Sequence, residues 1–186
     1  MRTSLWPVFL AITAGFVPLA MAHDVIELGR TNTGQLGLHI EPHYDLTAST
    51  ITGVTGFARP GPAFESMQLP DPTDPGEGLL PIDAASLIRA RVVALDNLII
   101  LDPDTLLPFE VGSTIFLGKR FFRFEPIWQI PTGGIGAEGV ATLIFEDQSG
   151  IHSDSQALAV TFHAVPMPGA AGVLALGGLV ACRRRR

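Results

Sequence analysis

Five side chains with metal-binding chemistry lie close together near the start of the chain: His23, Glu27, His39, Glu41 and His43. All five occupy odd-numbered positions, and alternate residues of an extended strand share one face. Imidazole and carboxylate groups without a thiolate suit Zn²⁺, while Cu²⁺ and Ni²⁺ remain alternatives. The spacing therefore makes a zinc site a candidate wherever these segments pair as strands.

Residues 24–30 and 35–41 predict a β-hairpin whose loop contains Asn32, Thr33 and Gly34. A three-residue loop needs a left-handed residue, which glycine supplies. This loop length collects the apolar residues on one face, because it pairs Ile26 with Ile40, Leu28 with Leu38 and Arg30 with Leu36. On the other face it pairs Glu27 with His39 and His23 with His43, and Glu41 lies between these pairs.

Directly opposed Cβ atoms in such a hairpin lie about 4.5–5.5 Å apart, so the side chains can converge on one ion. Cleavage of the chain before His23 would add its α-amine as a ligand. The alternative is a solvated polar face, which antiparallel sheets commonly have, with Pro42 ending the ladder before His43. His152 and His163 are predicted at the surface, where either could be a distant ligand.

Apolar and polar residues alternate with a period of two along residues 23–164, which contain this hairpin and the strands that must support it. Alternating runs occur in three successive pairs, 87–95 with 98–101, 114–117 with 121–124, and 141–146 with 156–162, and each pair flanks a turn signal or a short connection. This pattern predicts an all-β domain, an antiparallel β-sandwich. Residues 56–81 are rich in proline and glycine, and we expect a long loop there without a central strand.

The N-terminal segment, residues 1–22, has the features of a secretory signal peptide. A single base, Arg2, precedes an apolar run, and the small residues Ala20 and Ala22 suit signal peptidase. We expect cleavage before His23 and export of the remainder.

The C-terminal segment, residues 165–186, combines a proline motif, an apolar stretch and an arginine cluster. Its motif residues are Val165, Pro166, Pro168, Gly169, Arg183, Arg184, Arg185 and Arg186. A helix over residues 168–182 would rise about 22 Å, less than the roughly 30 Å hydrocarbon core of a bilayer. We expect a short hydrophobic helix, a weak inner-membrane anchor whose arginines stay cytoplasmic.

These C-terminal features resemble the PEP-CTERM sorting signal, although Met167 stands where that signal usually has glutamate. The resemblance implies sorting by an exosortase-like membrane enzyme, with transient anchoring before processing. Residues 23–25 and 34–36 (His-Asp-Val and Gly-Gln-Leu) also resemble exported PEP-CTERM proteins, some of which are associated with zinc regulation. That second resemblance adds support to a zinc site on the first hairpin, with zinc as the possible cofactor.

Charge and motif content narrow the function classes. Five of the twelve bases lie at position 2 and positions 183–186, so residues 23–182 carry seven bases against all eighteen acids, a net charge of −11. This balance disfavours nucleic acid and attracts cations. No nucleophile elbow, phosphate loop or His-Glu-x-x-His motif is present, and one cysteine excludes an intrachain disulfide.

We therefore expect an exported, non-enzymatic protein of the periplasm, cell surface or extracellular matrix. An extracytoplasmic zinc-binding protein is the alternative. Both interpretations divide the chain into a signal peptide (1–22), a β-sandwich domain (23–164) and a sorting signal (165–186).

Processing at both ends is the first testable prediction. Intact-mass measurement of the protein recovered outside the cytoplasm should give a chain that begins at His23 and lacks Arg183–Arg186, because both signals are removed. A recovered chain that keeps Met1 and the four arginines would contradict the sorting hypothesis.

Overall fold

The computed structural model describes residues 25–67 and 78–167, and every helix or strand assigned there is a β-strand. The chain is therefore all-β in its described part, as the period-two pattern predicts. The thirteen strands are β1 (Val25–Arg30), β2 (Leu36–His39), β3 (Tyr44–Leu46), β4 (Phe57–Pro60), β5 (Ala63–Ser66), β6 (Ile88–Asp96), β7 (Ile99–Leu101), β8 (Pro108–Phe109), β9 (Thr114–Gly118), β10 (Arg123–Phe124), β11 (Ile127–Ile130), β12 (Glu138–Asp147) and β13 (Leu158–Ala164).

Three sheets contain these strands. The first sheet has the order β10-β5-β1-β2, the second β4-β11-β7-β8, and the third β3-β13-β12-β6-β9. The first and third sheets are mixed, because β1 pairs with β5 and β3 pairs with β13 in parallel. The prediction of a purely antiparallel arrangement is therefore wrong. Both parallel pairs join strands that are distant along the chain, and parallel neighbours need such long connections.

The predicted register of the first hairpin is confirmed. Strands β1 and β2 pair Glu27 with His39, Leu28 with Leu38 and Arg30 with Leu36. Gly34 adopts a φ of 83°, the left-handed conformation that the loop requires. Ile26, Leu28 and Leu36 are buried, so the even-numbered face enters the core as its apolar pattern indicates.

Two of the other predicted turns connect sheets instead of closing hairpins. Strand β6 lies in the third sheet and β7 in the second, although only residues 97–98 separate them. Strand β9 lies in the third sheet and β10 in the first. Residues 141–146 and 156–162 do belong to paired strands, β12 and β13, which are antiparallel.

The expectation that residues 56–81 contain no central strand is wrong. Strands β4 and β5 both lie there, and β5 is an interior strand between β1 and β10. Pro60 is the last residue of β4, and Pro62 lies between the two strands after a cis peptide bond. No proline occupies β5 itself, so its ladder keeps its N–H donors.

Residues from all three sheets share one hydrophobic core. Trp128 of the second sheet stacks on Phe162 of the third at 4.6 Å between ring centroids. Phe64 of the first sheet makes edge contacts with Trp128 at 5.7 Å and with Phe145 of the third sheet at 5.6 Å. All four side chains are fully buried. These aromatic contacts join the three sheets.

Asp147, at the end of β12, organises the connection to β13. Its carboxylate accepts hydrogen bonds from the backbone N–H groups of Leu87, Ser149 and His152 and from the Ser149 hydroxyl. Burial raises the pKa of this carboxyl, but the hydrogen bonds outweigh burial and lower the pKa to about 2.

The predictions for the two chain ends fall largely outside the described residues. The structure describes Val165 and Pro166 but not residues 1–24 and 168–186, which include His23, Pro168, Gly169 and the four arginines. No helix within 25–67 and 78–167 has the length and apolar content that crossing a membrane requires.

Asp147→Asn should lower the free energy of unfolding by about 2 kcal/mol near neutral pH, since a depressed pKa in the folded state stabilises the ionised form. That contribution is present above about pH 4 and is lost as the pH falls toward 2. Urea unfolding across this range should therefore show wild type and variant converging. The exposed Asp154→Asn serves as control, and equal stability of wild type and Asp147→Asn at neutral pH would contradict this role.

Candidate metal centre

The short strand β3 directs two polar side chains outward because its apolar residues are buried. Tyr44 and Leu46 are 2% and 0% exposed, and the Tyr44 hydroxyl donates a hydrogen bond to the carbonyl of Val25. His43 and Asp45 flank Tyr44 and are exposed. The alternation of a strand therefore places both groups on the outer face of the third sheet.

The neighbouring strands add two more polar groups to that face. His163 of β13 pairs with Asp45 on one side and with Glu138 of β12 on the other. Phe162 and Ala164 are buried, so His163 must point away from the core. One row of side chains thus crosses three adjacent strands, from Asp45 through His163 to Glu138.

At the β3 end of this row, ligand atoms of three side chains come close together. One ligand atom each from His43, Asp45 and His163 all lie within 4.8 Å of one another. In residues 25–67 and 78–167, this is the one group of three or more histidine, cysteine, aspartate or glutamate residues that meets this distance. Nε2 of His43 lies 3.9 Å from Oδ1 of Asp45, and Nε2 of His163 lies 3.6 Å from Oε1 of Glu138.

The two imidazole rings of this group lie face to face. Their centroids are 4.6 Å apart and their planes differ by 18°. The side chains of His43 and His163 are 50% and 40% exposed, so solvent and ions reach both rings. Two carboxylates beside two imidazoles make this a negatively charged patch when the histidines are neutral, which favours a cation.

The residues predicted to bind metal are divided between two sheets. Glu27 and His39 face each other on the first hairpin as predicted, and both are half-buried. Strand β2 ends at His39, so Glu41 lies beyond it and is exposed. His43 adjoins β3 in the third sheet, with Pro42 in the connection, since proline cannot donate to a continued ladder.

The hairpin face continues as a charged row across the first sheet. Glu27 pairs in register with Glu65 of β5, and Glu65 pairs with Arg123 of β10. The Arg123 guanidinium donates to the Glu65 carboxylate at 2.7 Å. An ion pair on a partly exposed sheet face is typical of a solvated surface, and such pairs contribute little to stability.

His152 is not at the surface, contrary to expectation, because its side chain is 2% exposed. Its Nε2 accepts a hydrogen bond from the backbone N–H of Asp83 at 3.2 Å. This histidine therefore connects two loops and is unsuited to binding an ion from solvent.

Sequence reasoning did not place Asp45 or Glu138 in the site and gave His163 only a distant role. The local signal was present for each, since His43-Tyr44-Asp45-Leu46 and Phe162-His163-Ala164 alternate polar with apolar residues. The sequence pattern does not reveal that β3 pairs with β13 in parallel. Neither strand carries a pattern that specifies so distant a partner.

No protein family and no curated protein matches the chain. Among solved structures, it is similar to the N-terminal domain of PorA, with a TM-score of 0.40 and 12% sequence identity. The alignment covers 74% of this chain and 96% of that one.

The chemistry available to the group follows from its donors. Imidazole nitrogens bind borderline metals such as Zn²⁺, Cu²⁺ and Ni²⁺, and carboxylate oxygens complete their shells. Asp45 and His163 lie in two strands of a packed sheet and His43 directly precedes one of them, so that mainly the exposed side chains must adjust. The arrangement is suited to holding a divalent ion at the protein surface.

Proposed function

We propose that this protein binds a divalent transition-metal ion outside the cytoplasm, through His43, Asp45 and His163. The observation that carries the proposal is the convergence of two imidazoles and a carboxylate, one ligand atom of each lying within 4.8 Å of the others. The acidic character of residues 23–182 supports it further, because a negative surface concentrates cations.

The positions of these side chains indicate a site whose backbone does not have to move when an ion binds. Tyr44 and Phe162, the buried neighbours of the ligands, contact each other at 5.6 Å between ring centroids. Their packing holds β3 and β13 together whether or not an ion is present. Because the backbone of the ligands is already ordered, binding has to order only their exposed side chains, which limits the loss of conformational entropy.

Export and sorting form the second part of the proposal. The apolar segment 1–22 and the PEP-CTERM-like segment 165–186 flank the β-rich part of the chain, whose last strand ends at Ala164. In this proposal the three sheets pack as a β-sandwich, and the chain is non-enzymatic and retained at the cell envelope. A purely structural surface module is the competing function, and metal binding distinguishes the two.

Zinc titration of the purified full chain, without a polyhistidine tag, tests the metal proposal by calorimetry. Wild type should bind one Zn²⁺ at micromolar concentrations, and His163→Ala should abolish the heat. Acidification should weaken binding, because a protonated imidazole cannot bind a metal.

His39→Ala is the matched control, because His39 lies in the first sheet and His163 in the third. The third-sheet site predicts that His39→Ala binds like wild type. The reverse pattern, with His163→Ala unaffected and His39→Ala inactive, would favour the first hairpin as the zinc site. No binding by wild type would leave the structural surface module as the function.

A further inference from the structure

We infer that Glu138 supplies a fourth ligand, so that the site holds Zn²⁺ in a closed two-nitrogen, two-oxygen shell spanning β3, β13 and β12. This inference rests on the proposed metal binding and extends it to the identity and coordination of the ion. The basis is the register, which places Glu138 directly beside His163 on the side opposite to Asp45.

Two of the separations are close to those of a tetrahedral shell, and Glu138, which lies outside the group of three within 4.8 Å, has to turn toward the ion. Bonds of about 2.0–2.1 Å to zinc place two tetrahedral ligand atoms about 3.3–3.4 Å apart. The His163–Glu138 pair is separated by 3.6 Å and the His43–Asp45 pair by 3.9 Å. A distance of 3.6 Å is too long for a hydrogen bond, so no strong interaction has to break before Glu138 turns to the ion.

Exposure allows this movement. The side chains of Glu138 and Asp45 are 60% and 55% exposed, so both carboxylates can rotate without disturbing the core. Their two negative charges also balance the two positive charges of the ion. The ion and the two carboxylates together form a neutral complex, which favours binding of a divalent cation over a monovalent one.

Two imidazole nitrogens and two carboxylate oxygens favour zinc over calcium and magnesium. Calcium and magnesium prefer shells of six or more oxygens and gain little from imidazole, whereas zinc accepts nitrogen and oxygen in a four-coordinate shell. Four protein ligands also leave no open position for a substrate or an activated water. The site therefore holds its ion and fastens the edge strand β3 to β13 and β12, and it does not activate water.

Glu138→Gln in the full chain tests this inference, because glutamine keeps the size of the side chain and removes its charge. We expect zinc affinity to fall by about 10- to 100-fold or more, since losing even a side chain that only orients a metal ligand typically costs that much. Excess Ca²⁺ should not displace zinc from wild type. Co²⁺ substituted into wild type should give the intense visible absorption of a tetrahedral site, and the variant should give a weaker band.

Glu110→Gln is the matched control, since Glu110 is exposed and directly follows β8, a strand of the second sheet and not of the third. It removes the same charge and should leave zinc affinity and the Co²⁺ spectrum unchanged. If wild type binds zinc but Glu138→Gln has the same affinity and spectrum, the fourth-ligand inference is wrong and the three-residue site stands. If wild type binds no zinc, both the inference and the proposed metal binding are wrong.

Discussion

The burial of Phe162 is the interaction on which both the fold and the site depend. Its ring stacks on Trp128 from the second sheet and contacts Tyr44 from β3, so one side chain joins a neighbouring sheet and an edge strand. Because strand residues alternate, burying Phe162 turns His163 outward, and burying Tyr44 turns His43 and Asp45 outward. The candidate metal centre is thus the outer side of a core contact.

Local patterns were sufficient to predict features that depend on neighbouring residues. The all-β class, the register of β1 with β2 and the pairing of β12 with β13 follow from alternation and turn chemistry within short stretches. The assignment of strands to sheets could not be predicted this way. Strands β6 and β7 are separated by residues 97–98 yet join different sheets, and that choice depends on core packing.

The dependence of strand pairing on distant parts of the chain also explains why the sequence predicted only part of the site. The residue type of His43 makes it a ligand candidate, but a continuous hairpin ladder would place its partners on the first sheet. The chain instead leaves that sheet after His39, and Tyr44 and Leu46 pair with Phe162 and Ala164. A non-local parallel pairing determines which acid and which second histidine stand beside His43, and strand propensity does not encode it.

Zinc anomalous scattering from a crystal grown with Zn²⁺ would test the central claim most directly, since it locates the ion without a mutation. Our account predicts one strong peak on the outer face of the third sheet, about 2.0–2.2 Å from ligand atoms of His43, Asp45 and His163. A peak between Glu27 and His39 on the first sheet, or no peak at either place, would contradict it.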